Sequence, residues 1–219
     1  MTIHYQREVN KLKKLILSVA ADVEESLQCA MKSLIERSET LAKKVIENDE
    51  KIDMREIEVE EECLKILALH QPVAIDLRYI IAVLKINNDL ERIGDLAANI
   101  AERALYLCTQ PPVEIPTPIT KMVTNVRQML KKSIDALINT DIELANEVCA
   151  EDTVVDNLHA SMFDYITEAV KISPESFNSK LHLLGVSRYL ERVADHTTNI
   201  AEDVLYMVKG EIHRHKNTL

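Results

Sequence analysis

The sequence predicts an all-α protein: six long helices forming two tandem, pseudo-symmetric three-helix bundles. Three observations predict it. Only three glycines and six prolines punctuate 219 residues dominated by Ala, Leu, Ile, Glu and Lys. Four of the prolines fall together in QPPVEIPTP, Gln110 to Pro118, a run that cannot be helix interior and reads as a stiff linker. The two sides of that linker repeat. LERIGDLAANIAE (Leu90–Glu102) and LERVADHTTNIAE (Leu190–Glu202) agree at eight of thirteen positions, at an offset of 100.

Taken in order, the first helix is expected over residues 4–38. Its KLKKLILSVAAD stretch mimics a secretory signal, but Asp22 ends the apolar run and helical periodicity continues through Val23, Leu27, Ala30, Met31 and Leu34. The second helix spans 40–70 and contains LAKKVIENDEKID, which matches LANEVCAEDTVVD in the fifth at an offset of 103. The third spans 72–108, opening on Pro72 as first-turn prolines do. After the linker come helices at 117–139, 141–172 and 174–209, the last opening on Pro174. The domains are then 1–110 and 119–219, joined by 111–118. Three antiparallel helices with short connections pack as a bundle, and a duplicated unit gives two bundles related by a pseudo-twofold or stacked end to end.

Composition narrows the function. With 47% hydrophobic residues, no Trp and two Phe, the core is aliphatic. A net charge of −10 with no basic stretch argues against nucleic acid and for protein or cation partners. The most basic short run, Lys11, Lys13 and Lys14, reads as a solvated helix face. Cys29, Cys63, Cys108 and Cys149 are scattered without a CxxC pair, which fits a reducing compartment. No apolar run approaches the roughly 20 residues of a membrane span. The expected location is the cytoplasm, with no membrane insertion.

The repeated helix carries the candidate chemistry. At 100° per residue, Glu91, Asp95, Asn99 and Glu102 fall at about 0°, 40°, 80° and 20°, on one narrow face. Ile93, Leu96, Ile100, Ala104 and Leu107 lie opposite. Gly94, Ala98 and Ala101 flank the acids and would let a neighbouring helix approach. On the second helix Asp49 and Asp53 share a face, continued by Glu56 and Glu60; Asp152, Asp156 and His159 do the same on the fifth. Glu191, Asp195, Asn199 and Glu202 complete the second copy. Carboxylates at i and i+4 repel, so facing acidic stripes need protons, Arg92 and Arg192, or a metal ion between them. Oxygen donors suit hard cations, and a histidine such as His159 or His196 shifts preference toward zinc or iron. His70, His182, His213 and His215 read as capping, packing or solvated groups. Equally, acids opposite an apolar stripe are most often a solvated face; the duplication favours a ligand-bearing one.

HQPVAIDLR (His70–Arg78), DLERIGDLAANIAE and LERVADHTTNIAE together resemble the PhoU family of phosphate-signalling regulators, over essentially the whole chain. The resemblance implies a non-enzymatic, cytoplasmic, often homodimeric adaptor. Its partners would be the phosphate-specific ABC transporter and the membrane sensor histidine kinase of the phosphate two-component system. It also implies metal on the carboxylate motifs, multinuclear in several members, with iron or zinc expected first and manganese or magnesium as alternatives. Carried over by motif, one site uses Asp49, Asp53, Glu91 and Asp95, and the other Asp152, Asp156, Glu191 and Asp195. Asn99, Glu102, His159, Asn199 and Glu202 are additional candidates. QPVAIDLR has no counterpart in the second half, which marks Pro72, Asp76 and Arg78 as candidate partner-binding residues.

Two other readings stand beside this one. A metal-free helical scaffold, serving another transporter, would pair its carboxylates with arginine. A carboxylate-bridged metalloenzyme is the weaker option, because no Glu-x-x-His, G-x-S-x-G, P-loop or H-E-x-x-H occurs.

Overall fold

The computed structural model describes residues 3–210; His213 and His215 lie outside the described residues. Six α-helices follow in order: α1 (Ile3–Glu36), α2 (Glu39–His70), α3 (Ala74–Thr109), α4 (Thr117–Asn139), α5 (Ile142–Ile172) and α6 (Phe177–Lys209), with a 3₁₀ turn, Pro174–Ser176, before the last.

Local chemistry sets the boundaries. Ser38 caps α2 by accepting from the Leu41 N–H, and Asp141 caps α5 by accepting from Glu143 and Leu144. Thr140, in the left-handed region, ends α4. Arg37 holds the start of the linker, donating to the carbonyls of Cys108 (3.2 Å) and Gln110 (2.6 Å).

The two prolines expected inside first helical turns are both outside their long helices. Gln71 and Ala74 each take positive φ, 45° and 51°, and Val73 between them is extended. The chain therefore turns twice around Pro72 before α3 begins at Ala74. Pro174 heads the separate 3₁₀ turn instead of α6.

Within each half all three helices pack on one another, and the halves join chiefly through α3 against α6, with a lighter contact between α1 and α4. Named contacts give the direction of that junction. Arg78 Nε donates to the Met207 carbonyl (3.4 Å) and Lys85 pairs with Asp203 (3.3 Å). Asp89 meets His196 (2.8 Å), Arg103 reaches Tyr189 (3.2 Å), and Tyr106 stacks on His182 with ring centroids 3.8 Å apart. Numbers rise along α3 as they fall along α6, so the helices run antiparallel. Exchanging the halves turns Lys85–Asp203 into Arg103–Gly185, and those two residues are also neighbours. The junction is thus a pseudo-twofold whose ion pairs have diverged.

Each side of α3 meets a different neighbour. Gly94 and Asn87 face α2, where Asn87 donates to the Glu56 carbonyl (2.9 Å). Lys85, Asp89 and Arg103 face α6. Ile93 and Ile100, fully buried, face the interior that α1 covers. The remaining side, away from α1, bears the carboxylates. The core is aliphatic throughout, with Leu12, Ile52, Ile66, Ile80, Leu90 and Ile119 sealed from water.

Candidate metal centre

The close approach expected at the small residues occurs at Gly94. A Cβ built there would stand 3.2 Å from Ile52 Cδ1 and 3.7 Å from Asp49 Oδ1. With Ile52 on α2, any side chain at Gly94 would push that residue aside by a few tenths of an ångström, and the close approach of the helices carries Asp49 and Asp53 toward Asp95. Asp49, Asp53 and Asp95 each offer an oxygen within 4.8 Å of the other two, the one such group of three found among the described residues.

Electrostatics show how these acids act on one another. Burial, then the charges of Asp95, Asp53 and Glu102, push Asp49 up to about 6. Burial and the neighbouring acids Asp95, Asp53 and Glu56 raise Glu91 against the pull of Arg92. Asp95 is raised by burial and Asp53, again opposed by Arg92. Neither Arg92 nor Arg192 makes an ion pair among the described residues, so the arginines damp the repulsion without neutralising it by contact.

The second face repeats the pattern with different surroundings. Burial, Asp156 and Asp195 push Asp152 up to about 6, and the nearby Thr198 hydroxyl, which makes no hydrogen bond of regular geometry, offsets a little of this. Asp195 reaches about 6 through burial, Glu191 and Asp156. Burial and Asp156 also raise Glu191. Asp152 Oδ1 is itself buried without a hydrogen-bond partner, an arrangement a cation or water would relieve.

The supporting residues divide. Glu102 acts on Asp49, and Glu202 acts on Asp152. Asn99 turns its amide back to the Asp95 carbonyl (2.8 Å), leaving its oxygen free of that bond. Asn199 instead reaches across to Asp89 (3.3 Å). His159 holds the Ser187 hydroxyl through Nδ1 (2.9 Å) and meets Phe163 edge-on; burial and then Arg188 keep it below the usual histidine range, against the pull of Asp156. His196 is turned to Asp89 at the α3–α6 junction and away from the acidic stripe. One neighbour escaped the sequence reading: Cys149, one turn before Asp152, lies within reach of Asp152 and Glu202. Burial and those charges raise its thiol to about 11, so it is protonated at neutral pH. Its i, i+3 spacing was the available signal.

Of the candidate partner-binding residues Pro72, Asp76 and Arg78, the last two also make contacts within the chain. Asp76 hydrogen-bonds Tyr5, and Arg78 holds the α6 C-terminus through Met207 and packs on Gly210. The exposed side chains there are the apolar Val73, Ile75 and Leu77.

A family model described as the PhoU domain matches residues 16–104 and 119–204, one copy in each half. The chain belongs to the PhoU family. The Thermotoga maritima protein named phosphate-specific transport system accessory protein PhoU homolog 1 is 35% identical, covering 95% of this chain and 90% of its own length. The Aquifex aeolicus protein named as a PhoU homolog of that system is 36% identical, covering 96% of each chain. The crystal structure of PhoU from Pseudomonas aeruginosa superposes with a TM-score of 0.90 at 34% identity, covering 94% of this chain and all of that one. The phosphate transport system regulatory protein PhoU from Streptococcus pneumoniae superposes with a TM-score of 0.88 at 27% identity. By its named relatives, the family is one of accessory and regulatory proteins, not enzymes.

Proposed function

We propose that this PhoU-family chain regulates phosphate uptake and phosphate-responsive two-component signalling from the cytoplasm. It would link the phosphate ABC transporter to its sensor histidine kinase and help hold the kinase in its non-activating state when phosphate is plentiful. The similarity to phosphate-transport accessory proteins over nearly the whole of both chains carries this reading. Residues 1–110 and 119–219 act as paired units on either side of the 111–118 linker, in a homodimer. The apolar Val73, Ile75 and Leu77, held out by the double turn around Pro72, are the contacts we assign to a partner, with Asp76 and Arg78 fixing the segment from behind.

We further propose that the carboxylate faces hold cations. The donor chemistry fits: three oxygens lie close together, burial and one another's charge make the acids costly to ionise without a cation, and among the described residues no arginine closes on them. The first face would use Asp49, Asp53, Glu91 and Asp95, with Glu102 and the Asn99 oxygen at its edge. The second would use Asp152, Asp156, Glu191 and Asp195, with Glu202 beside it and His159 in reserve. An all-oxygen first face suits iron(III), manganese or magnesium better than zinc, whereas a second face near His159 accommodates zinc or iron. Bound there, a cation supplies positive charge that removes the repulsion between helices and joins α2 to α3, and α5 to α6.

The regulatory reading is tested by deleting the gene in its native host and reading a phosphate-responsive promoter. Expression should stay high in phosphate-rich medium and return to repression when the gene is restored. Repression that persists in the deletion strain would overturn the reading.

A further inference from the structure

We propose that the outward face formed by α1 and α4 docks on an anionic lipid surface. In a chain of net charge −10, α4 carries Lys121, Arg127, Lys131 and Lys132 against the single acid Asp135. It lies beside α1 in an antiparallel arrangement. Thr124 and Lys131 share a groove with Glu24 and Gln28, while Thr140 at the far end of α4 shares another with Val9 and Lys13.

The cations of the two helices divide into paired and unpaired. Lys11 pairs with Glu62 of α2, and Lys132 with Glu147 and Glu151 of α5. The side chains of Arg7 and Lys14 on α1, beside Lys65 of α2, and of Lys121, Arg127 and Lys131 on α4 are exposed and make no ion pair or hydrogen bond among the described residues; Glu24 is the acid in the groove of Arg127 and Lys131. The acid-bearing side of α3 points away from α1, so the unpaired cations and the carboxylate stripes occupy opposite sides of the protein.

The physical form of this face selects its partner. The groove between the helices is about 370 Å³, and its floor residues Leu27 and Leu130 are already buried to 1% exposure. It offers no apolar socket of the kind that anchors a protein partner. Nor do the cations converge on a point, as a site for one small anion requires: Lys121 and Lys131 alone are roughly 15 Å apart along the helix. No aromatic side chain stands among them to stack a base. Dispersed positive charge on a broad helical face matches the dispersed negative charge of a bilayer rich in anionic headgroups, where each basic group adds roughly fivefold to affinity. Exposed Ile3, Ile35 and Ile138 at the ends of the same helices reach the headgroup level. No described helix is long and apolar enough to cross the bilayer, so the protein lies on it. The carboxylate faces then look away from the lipid.

The test is co-sedimentation of the full chain with vesicles of phosphatidylcholine alone, or of equal parts phosphatidylcholine and phosphatidylglycerol, with chelator present so that no metal bridges the carboxylates to headgroups. We expect binding to the anionic vesicles only, weakening with salt, and roughly a hundredfold weaker for Lys121→Glu/Arg127→Glu/Lys131→Glu. A control with the same change in net charge, Lys43→Glu/Lys51→Glu/Lys171→Glu on α2 and α5, should bind within a few-fold of wild type. Far-ultraviolet circular dichroism confirms that each variant retains its helices. No binding by wild type, binding that survives the α4 reversals, or equal loss in the control would each overturn the proposal.

Discussion

Gly94 on α3 and Ile52 on α2 pack so closely that a side chain at Gly94 would make Ile52 shift, with Ile52 Cδ1 3.2 Å from where a Cβ would stand. Their counterparts in the second half are Ala194 and Val155, both fully buried. One methyl group has moved from α2 in the first half to α3's counterpart in the second, at matched total volume.

The exchange predicts a coupling. Gly94→Ala forces Ile52 to give way, and Ile52→Val alone leaves a small void worth about 1 kcal/mol. Together they reproduce the second-half pairing, so the double variant should be more stable than the sum of the singles by about 1 kcal/mol. Urea unfolding of the four proteins measures this; strict additivity would show that the two residues do not constrain each other.

A second prediction concerns pH. Asp49, Asp152 and Asp195 sit near 6 in the folded chain, above their ordinary value of 3.8. In the metal-free protein the folded state therefore holds more protons than the unfolded state between about pH 4 and 6. Stability should fall as pH rises through that window and the three acids ionise. His159 and His182, held low by burial and by Arg188 and Arg103, act oppositely as pH falls below the histidine range. Comparing wild type with Asp49→Asn/Asp152→Asn/Asp195→Asn separates the two: the variant should lose the acid-side gain in thermal midpoint. Identical profiles would mean that the carboxylate strain does not exist.

The Asp89–His196 contact gives a third. Both side chains are nearly buried at the α3–α6 junction, and Asn199 adds a bond to the same Asp89 oxygen. His196→Leu, which installs the residue found at Leu96 in the first half, leaves Asp89 with Asn199 alone. The expected loss is about 3 kcal/mol, measured by urea unfolding. Asp89→Leu in the same chain should recover most of it, because both buried polar groups are then gone. A loss in the double variant as large as in the single would place the effect in packing.

Much of this was legible in the sequence. Helical periodicity, the proline run and the 100- and 103-residue offsets specify six helices in two copies, because periodicity and breakers are local properties. The small residues at Gly94 correctly marked a close approach for the same reason. What the sequence did not disclose is how one helix faces another. His196 follows Asp195 directly and looked like a candidate ligand, yet 100° of rotation turns it into the α3–α6 junction. Nor did the sequence disclose that Asp76 contacts Tyr5 and that Arg78 holds the end of α6. The cationic face was invisible too: Arg7 and Lys14 are over a hundred positions from Lys121 and Lys131, so no single stretch of sequence is strongly basic.

The most direct test of the carboxylate assignment is elemental analysis of untagged protein purified without chelator and reconstituted with iron, zinc, manganese or magnesium. Wild type is compared with the variant in which Asp49, Asp53, Glu91 and Asp95 are all Ala. The account predicts stoichiometric metal in wild type and a clear reduction in the variant, together with a higher thermal midpoint for metal-loaded wild type. No metal in wild type after reconstitution, or equal metal in both proteins, would contradict it.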